Sequence, residues 1–405
     1  MSLLGEFQNP LRTLRHRDFR LLWTGEVMRT SAQWMDTITR GFLVLELVNS
    51  SAHLALVNAV RSTPLLVLGL LAGILADRVS RLRLLLASQT MNVVGNLAVA
   101  VLVFTGLVSL WHVYLTALLV GFGMALNAPA RQSALPSLVP ERDLQSAVVL
   151  NTATLNIGQA VGPVIGGVSV GLVGVAGSYV VQAAMCAMAG LLIRRINLPE
   201  RTAKAQGRLR DSAVDGVRYL RHHEVLPGLL LISVSSMLLV QPFRGVVPAI
   251  AVLQLGLDAT RAGLLMAALG AGSLVSVIVL AARPPVPRPG RRIVTSAVGF
   301  GVAITVFGIS TDLVVSAVAL FAAGLLQANN RTLTQSLVLS DTEDDYRGRI
   351  SSVWVVNRGT MPVGSTALAG LTGVTSVGPA VAVMSVAGAI AAGCVGWRVR
   401  ALWRR

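Results

Sequence analysis

Charge is scarce in this chain, and negative charge scarcer still: charged residues fill 13% of its 405 positions, with 18 Asp plus Glu against 34 Lys plus Arg. A soluble domain carries about 25% charge, so a fold solvated on all sides is excluded. Lysine is nearly missing. Lys204, the single one, lies between two alanines, so the G-K-[ST] ending of a phosphate-binding loop cannot be built and ATP is excluded as an energy source. Cysteine is limited to Cys186 and Cys394, too few and too separated for a disulfide framework or a thiolate metal site. His53, His112, His222 and His223 stand near loops or helix ends without ligand spacing, so no metal and no other cofactor is expected. No nucleophile with a base near a lipid interface is found, so the chain does not read as an enzyme. Aromatics, at 5%, are thin for stacking sugar rings.

What the chain has instead is apolar length. Hydrophobic residues make up 54%. Taking runs of about 20 as membrane helices places spans near 19–47, 54–76, 82–106, 110–130, 144–170, 174–195, 226–253, 262–282, 292–310, 313–338, 348–371 and 376–398. This predicts an all-α membrane protein with twelve transmembrane helices. The first 18 residues are polar and Arg-rich, and the first apolar run is longer than a signal h-region, so no cleaved leader is expected.

The basic residues sort by side. Of the 34, 27 fall in the tail to Arg20, in alternate connectors, or from Arg398 onward; Arg261 alone falls on the other side, and Arg29, Arg40, Arg61, Arg244, Arg331 and Arg358 lie inside spans. The basic side is cytoplasmic by the positive-inside rule, with both termini there, in the inner or cytoplasmic membrane of the cell. The net charge of +16 then reflects topology and anionic headgroups, and nucleic acid is not expected as a partner. One long connector divides the chain into residues 1–195, a six-helix half; 196–225, a linker; and 226–405, a second six-helix half. The linker carries Leu209, Ala213, Val217 and Leu220 at helical spacing among charges, the pattern of an amphipathic surface helix. Val139 to Gly167 and Thr342 to Gly370 each run from a charged turn into a helix with Gly and Pro, so the halves read as pseudo-symmetric repeats.

Four motifs carry a resemblance. Gly73-Ile-Leu-Ala-Asp77-Arg78-Val-Ser80-Arg81-Leu-Arg83 is similar to a G-x-x-x-D-R-x-G-R-R loop, with Ser80 in place of the second glycine. Gly158-Gln-Ala-Val-Gly162-Pro163-Val-Ile-Gly166-Gly167 matches G-x-x-x-G-P-x-x-G-G, and Asn127-Ala-Pro129-Ala-Arg131-Gln132 is similar to an N-x-P-A-R-Q turn. Arg347-Gly348-Arg349 fits the loop's counterpart in the second half. These residues resemble the major facilitator superfamily, and within it the bacterial exporters that include enterobactin and macrolide efflux proteins. The resemblance implies the major facilitator fold, a cytoplasmic gate at Gly73, Asp77, Arg78, Arg81, Asn127, Arg131, Arg347 and Arg349, and an antiporter motif at Gly158, Gly162, Pro163, Gly166 and Gly167. The chain departs from the pattern in having no arginine inside span four and no aspartate in the 283–292 connector.

The first span holds the most unusual chemistry. Glu26, Arg29, Gln33, Asp36 and Arg40, projected at 100° per residue, fall within an arc of about 80°. A charge at mid-bilayer costs roughly 2.5–3.5 kcal/mol, so four facing lipid would cost on the order of 10 kcal/mol. They face water or one another, and the spacings allow Glu26 to pair with Arg29 and Asp36 with Arg40. Either internal ion pairs or a transport pathway accounts for the stripe, and a pathway is the reading preferred, because buried pairs stabilise poorly. Arg61 beside Pro64 and Arg244 beside Pro242 are candidates to add charge to the same vestibule, and Arg358 to pair across the halves. The expected activity is secondary active export of an amphipathic small molecule, siderophore, macrolide or drug-like, by alternating access, with protons as counter-ion. The alternative is an importer or uniporter of a small nutrient on the same fold.

Overall fold

Inside a bilayer every backbone N–H and C=O must find its partner within the chain, which leaves a run of this apolarity one spanning structure, the helix. The computed structural model describes residues 10–198, 223–282, 287–342, 357, 359–399 and 403; for 10, 11, 67–78, 281 and 339 it describes the backbone alone. The long helices are α1 Arg17–Val48, α2 Ser51–Arg78, α3 Arg81–Phe104, α4 Leu110–Leu138 and α5 Leu144–Arg194. There follow α6 Leu226–Gln254, α7 Ala259–Ala282, α8 Pro289–Ile309, α9 Leu313–Asp341, α10 Met361–Val374 and α11 Val377–Arg398. Eight of the helices among the described residues are long and apolar enough to cross a membrane.

α5 is 51 residues long, about 75 Å as a straight rod and more than twice a bilayer core. It does not stay straight. Gly174, at φ 71 and ψ 179, takes a conformation closed to side chains and divides the helix into two arms, so the described residues form twelve long rods. The break expected between the spans 144–170 and 174–195 is thus concentrated in one glycine. α1 ends similarly on Asn49, a left-handed residue (φ 44) whose N–H is donated to the Leu45 carbonyl, one of the few side chains at home there. The chain also corrects a boundary. α4, expected to end near 130, continues through Pro129 and Pro136 to Leu138, so the Asn127–Arg131 run is helix and not turn; each proline forfeits one backbone bond, which neighbouring helices make tolerable in a membrane. α6 is irregular, with π-helical turns at Ser236–Val240 and Ile250–Gln254 and a break at Gln241 and Pro242 between them.

Helices α1 to α5 pack among themselves and α6 to α11 among themselves, and the two groups meet along α5 with α7, α2 with α10 and α1 with α6. The apolar cores show where the contact is closest. At the end of the bundle away from the chain termini, one core runs through both groups, joining Ile38, Leu43, Leu54 and Val57 to Phe243, Val247, Leu265 and Leu368. At the terminal end the described residues form two separate cores: Phe19, Leu85, Leu135 and Ile193 in the first group, and Leu226, Ile232, Ile293 and Leu337 in the second. Among the described residues the groups therefore share a core at the far end and have separate cores at the near end. The linker residues Leu209, Ala213, Val217 and Leu220 lie outside the described residues.

Candidate functional site

The polar stripe of α1 turns inward, away from lipid. Glu26, Arg29, Asp36 and Arg40 are each at most 5% exposed, so the insertion cost is met by pairing. Arg29 donates from Nε to Glu26 Oε2 at 2.9 Å and from a terminal nitrogen to Gln33 Oε1 at 2.9 Å. Glu26 Oε1 accepts from Asn127 Nδ2 at 3.0 Å, and Arg131, whose Nε stands 3.7 Å from Oε2, donates from a terminal nitrogen to Asn151 Oδ1 at 2.7 Å. Asn127 and Arg131, expected with the gate, thus join the stripe, because they lie one turn apart on α4 and share the face toward α1.

One turn further along α1 is a second cluster. Arg40 lies 2.9 Å and Arg61 of α2 lies 3.3 Å from Asp36 Oδ2. Neither guanidinium aligns an N–H on the carboxylate, and Asp36 Oδ1 is buried without a hydrogen-bond partner, as are Arg40 Nε and Arg61 Nε. A small cavity of about 10 Å³, lined by Gln33, Asp36, Arg61, Asn92, Asn96 and Gln182 among others, opens beside these groups. That is room for about one water molecule among polar partners. Four guanidiniums (Arg29, Arg40, Arg61, Arg131) surround two carboxylates, leaving a positive excess in the interior of the first group.

The second group contributes Arg244, just past the break in α6. Its guanidinium lies over the Trp34 ring of α1, 5.3 Å from the centroid, and donates to Gln327 Oε1 of α9. It is separate from the α1 clusters. Toward the terminal end, Arg81 donates to Ser137 Oγ at 3.1 Å, tying α3 to α4. Gly73, Asp77 and Arg78 lie where only the backbone is described, and Arg347, Arg349 and Arg358 lie outside the described residues.

The glycines of α5 serve two contacts. A Cβ on Gly158 would meet Thr30 at 2.8 Å, one on Gly162 would meet Trp34 Cβ at 2.6 Å, and one on Gly166 would meet Met35 Cα at 2.9 Å, so this face is moulded to α1 in its own group. Pro163 and Gly167, a third of a turn away, meet Gly263 and Ala259 of α7 across the interface. Sequence reasoning passed over Gln89, Asn92 and Asn96, three buried amides of α3. The signal was present: amides at i, i+3 and i+7 in an apolar span mark a face turned to the bundle interior.

A bundle of membrane-length helices in two groups, sealed at one end around a buried charged core, is the architecture of a major facilitator transporter, and solved structures show the same fold. A POT family transporter in complex with a thioalcohol-conjugated peptide superposes with a TM-score of 0.76 at 10% identity, over 95% of this chain and 96% of that one. The nucleoside transporter NupG gives 0.71 at 13% identity, over 95% and 99%. The chain belongs to the transmembrane secretion effector family, whose model matches residues 8–402. Among curated relatives, the enterobactin exporter EntS of Citrobacter koseri is 28% identical over 305 residues, covering 75% of this chain and 72% of that protein. EntS of Escherichia coli O1:K1 is 27% identical over the same extent. The protein is therefore a multi-pass membrane transporter of the major facilitator type.

Proposed function

We propose that the chain exports an amphipathic small molecule from the cytoplasm by alternating access and exchanges it for protons, with residues 1–195 and 226–405 as the two moving halves, 196–225 as the linker and both termini cytoplasmic. The relatives named as exporters support the direction. With the termini inside, the continuous core seals the outer end and the separate cores lie at the inner end, so the arrangement described is the one that receives substrate from the cytoplasm.

Proton exchange rests on Asp36. A carboxylate's proton affinity rises when water leaves it and falls when a guanidinium approaches. Asp36 has both controls at hand: two arginines on two different helices within 3.3 Å, and a water-sized cavity beside an unpartnered Oδ1. A shift of α2 against α1 changes the distance to Arg61 but not that to Arg40, which is on the same helix. Glu26, held by three partners, is the reserve candidate. The test uses one preparation of proteoliposomes with two readouts, transport driven by a pH jump and substrate counterflow. Asp36→Asn is expected to lose the first and keep the second. Gradient-driven accumulation at the wild-type level in that variant removes the assignment, and loss of both makes Asp36 a structural partner of Arg40 and Arg61.

A further inference from the structure

Among the described residues, the buried cations of the first group have carboxylates and Arg244 has none. Among the described residues no carboxylate lies within ion-pair distance of it, and the charge that acts on it most is another cation, Arg331 of α9. Its Nε is buried and has no partner, and the same is true of Nε2 of Gln327, the residue that accepts its other hydrogen bond. Two donors, on two side chains that are hydrogen-bonded to each other, thus lack a protein acceptor. Leaving such donors unmet costs about 1–3 kcal/mol each, and more for a charged group. Gln327 and Arg331 are four apart on α9 and share a face, and Arg331 is exposed. Arg244 and Trp34 are only partly buried while the two unmet donor atoms are closed to solvent, so an occupant reaches them as the two groups of helices part.

We propose that Arg244, Gln327 and Trp34 form the binding site for an aromatic organic anion, with the carboxylate or phenolate taken by the unmet N–H groups of Arg244 and Gln327 and the ring lying against Trp34. The chemistry follows from the parts. A guanidinium presents a planar fork to a carboxylate, and an indole face offers a flat apolar surface to a ring. The two sides come from different groups of helices, Trp34 from α1 and the donors from α6 and α9, so an occupant bridges the interface that must rearrange during transport. The acid partners of the first group are already engaged with their own arginines, which leaves the anion to the second group and the protons to the first. This deepens the proposed function and rests on it for the substrate's movement, though not for its binding.

The experiment measures binding to the purified protein in nanodiscs by calorimetry, without any gradient, using two probes with one ring system: naphthoate, an anion, and naphthylmethylamine, a cation. Wild type is expected to bind naphthoate about tenfold or more tightly than the amine. Arg244→Gln abolishes that preference, Arg244→Lys keeps the preference but weakens naphthoate severalfold because the fork is lost, and Trp34→Leu weakens both probes and leaves the preference. Should Arg244→Gln fail to elute as a single folded species, the wild-type preference and the Arg244→Lys result decide. Equal or tighter binding of the amine by wild type, or unchanged naphthoate binding in Arg244→Lys together with Arg244→Gln, overturns the site. Naphthoate preference without pH-driven export strikes the transport reading alone, whereas export with no such preference strikes this site alone.

Discussion

Glu26 shows how a single acid organises three helices. Its two oxygens hold Arg29 of α1, Asn127 and Arg131 of α4, and through Arg131 the Asn151 amide of α5. Remove the carboxylate and two buried guanidiniums each lose an anionic neighbour at once. Breaking a buried pair from one side costs about 3–5 kcal/mol, mostly as the penalty on the charge left behind. Glu26→Ala is therefore expected to lower the melting temperature in detergent sharply, and Glu26→Ala with Arg29→Ala to recover part of the loss. A double variant whose loss equals the sum of the two singles denies the coupling. The presence of this acid was legible in the sequence, because a charge in an apolar run has to face inward. Its partners on α4 were not, because reading Asn127 to Arg131 as a turn placed them at the surface, and only the unbroken helix through Pro129 brings them to α1.

At the scale of the element, α5 carries two different surfaces on one helix, and substitutions should separate them. Gly162 is pressed to Ser31 and Trp34 within its own group, while Gly263 of α7 is pressed to Pro163 across the interface. A leucine has no room at either place, and a backbone on the far side cannot give way as a flexible side chain can. Gly162→Leu is expected to disrupt the first group itself, seen as aggregation on size-exclusion chromatography. Gly263→Leu is expected to fold, as a wedge between groups that are built to part, and to lengthen the spin-label distance between the far ends of α1 and α6. Identical behaviour of the two variants would mean that the faces are not distinct. The sequence showed that small residues at i, i+4 and i+8 form one close-packing face, but spacing names no partner. Periodicity is a property of one helix, and whether the face meets its own half or the other is decided only when twelve helices are placed. The same limit explains α6, where the prolines were visible but the two π-turns were not.

At the scale of the whole molecule the described residues are asymmetric along the axis, with one core shared at the far end and two cores apart at the terminal end, and this makes a prediction that no single residue carries. If the seal is a state and not a fixed joint, locking it should stop transport without harming the fold. Asn58 of α2 donates from Nδ2 to the Gly245 carbonyl of α6 at 3.1 Å, and a Cβ built on Gly245 would lie 3.1 Å from the Asn58 Cβ. That is slightly inside the usual Cβ separation of about 3.8 Å for a disulfide, so a small parting of the helices suffices to form one. Cys186 and Cys394 are free thiols and are first replaced by alanine. In that background Asn58→Cys with Gly245→Cys is expected to cross-link on mild oxidation, to abolish transport while cross-linked, and to regain it on reduction. Both single variants should transport throughout, because neither can bridge the interface alone. Transport at the full rate by the oxidised, cross-linked protein would show that the far-end seal never opens, and the charged core of the first group would then need another route to the outside.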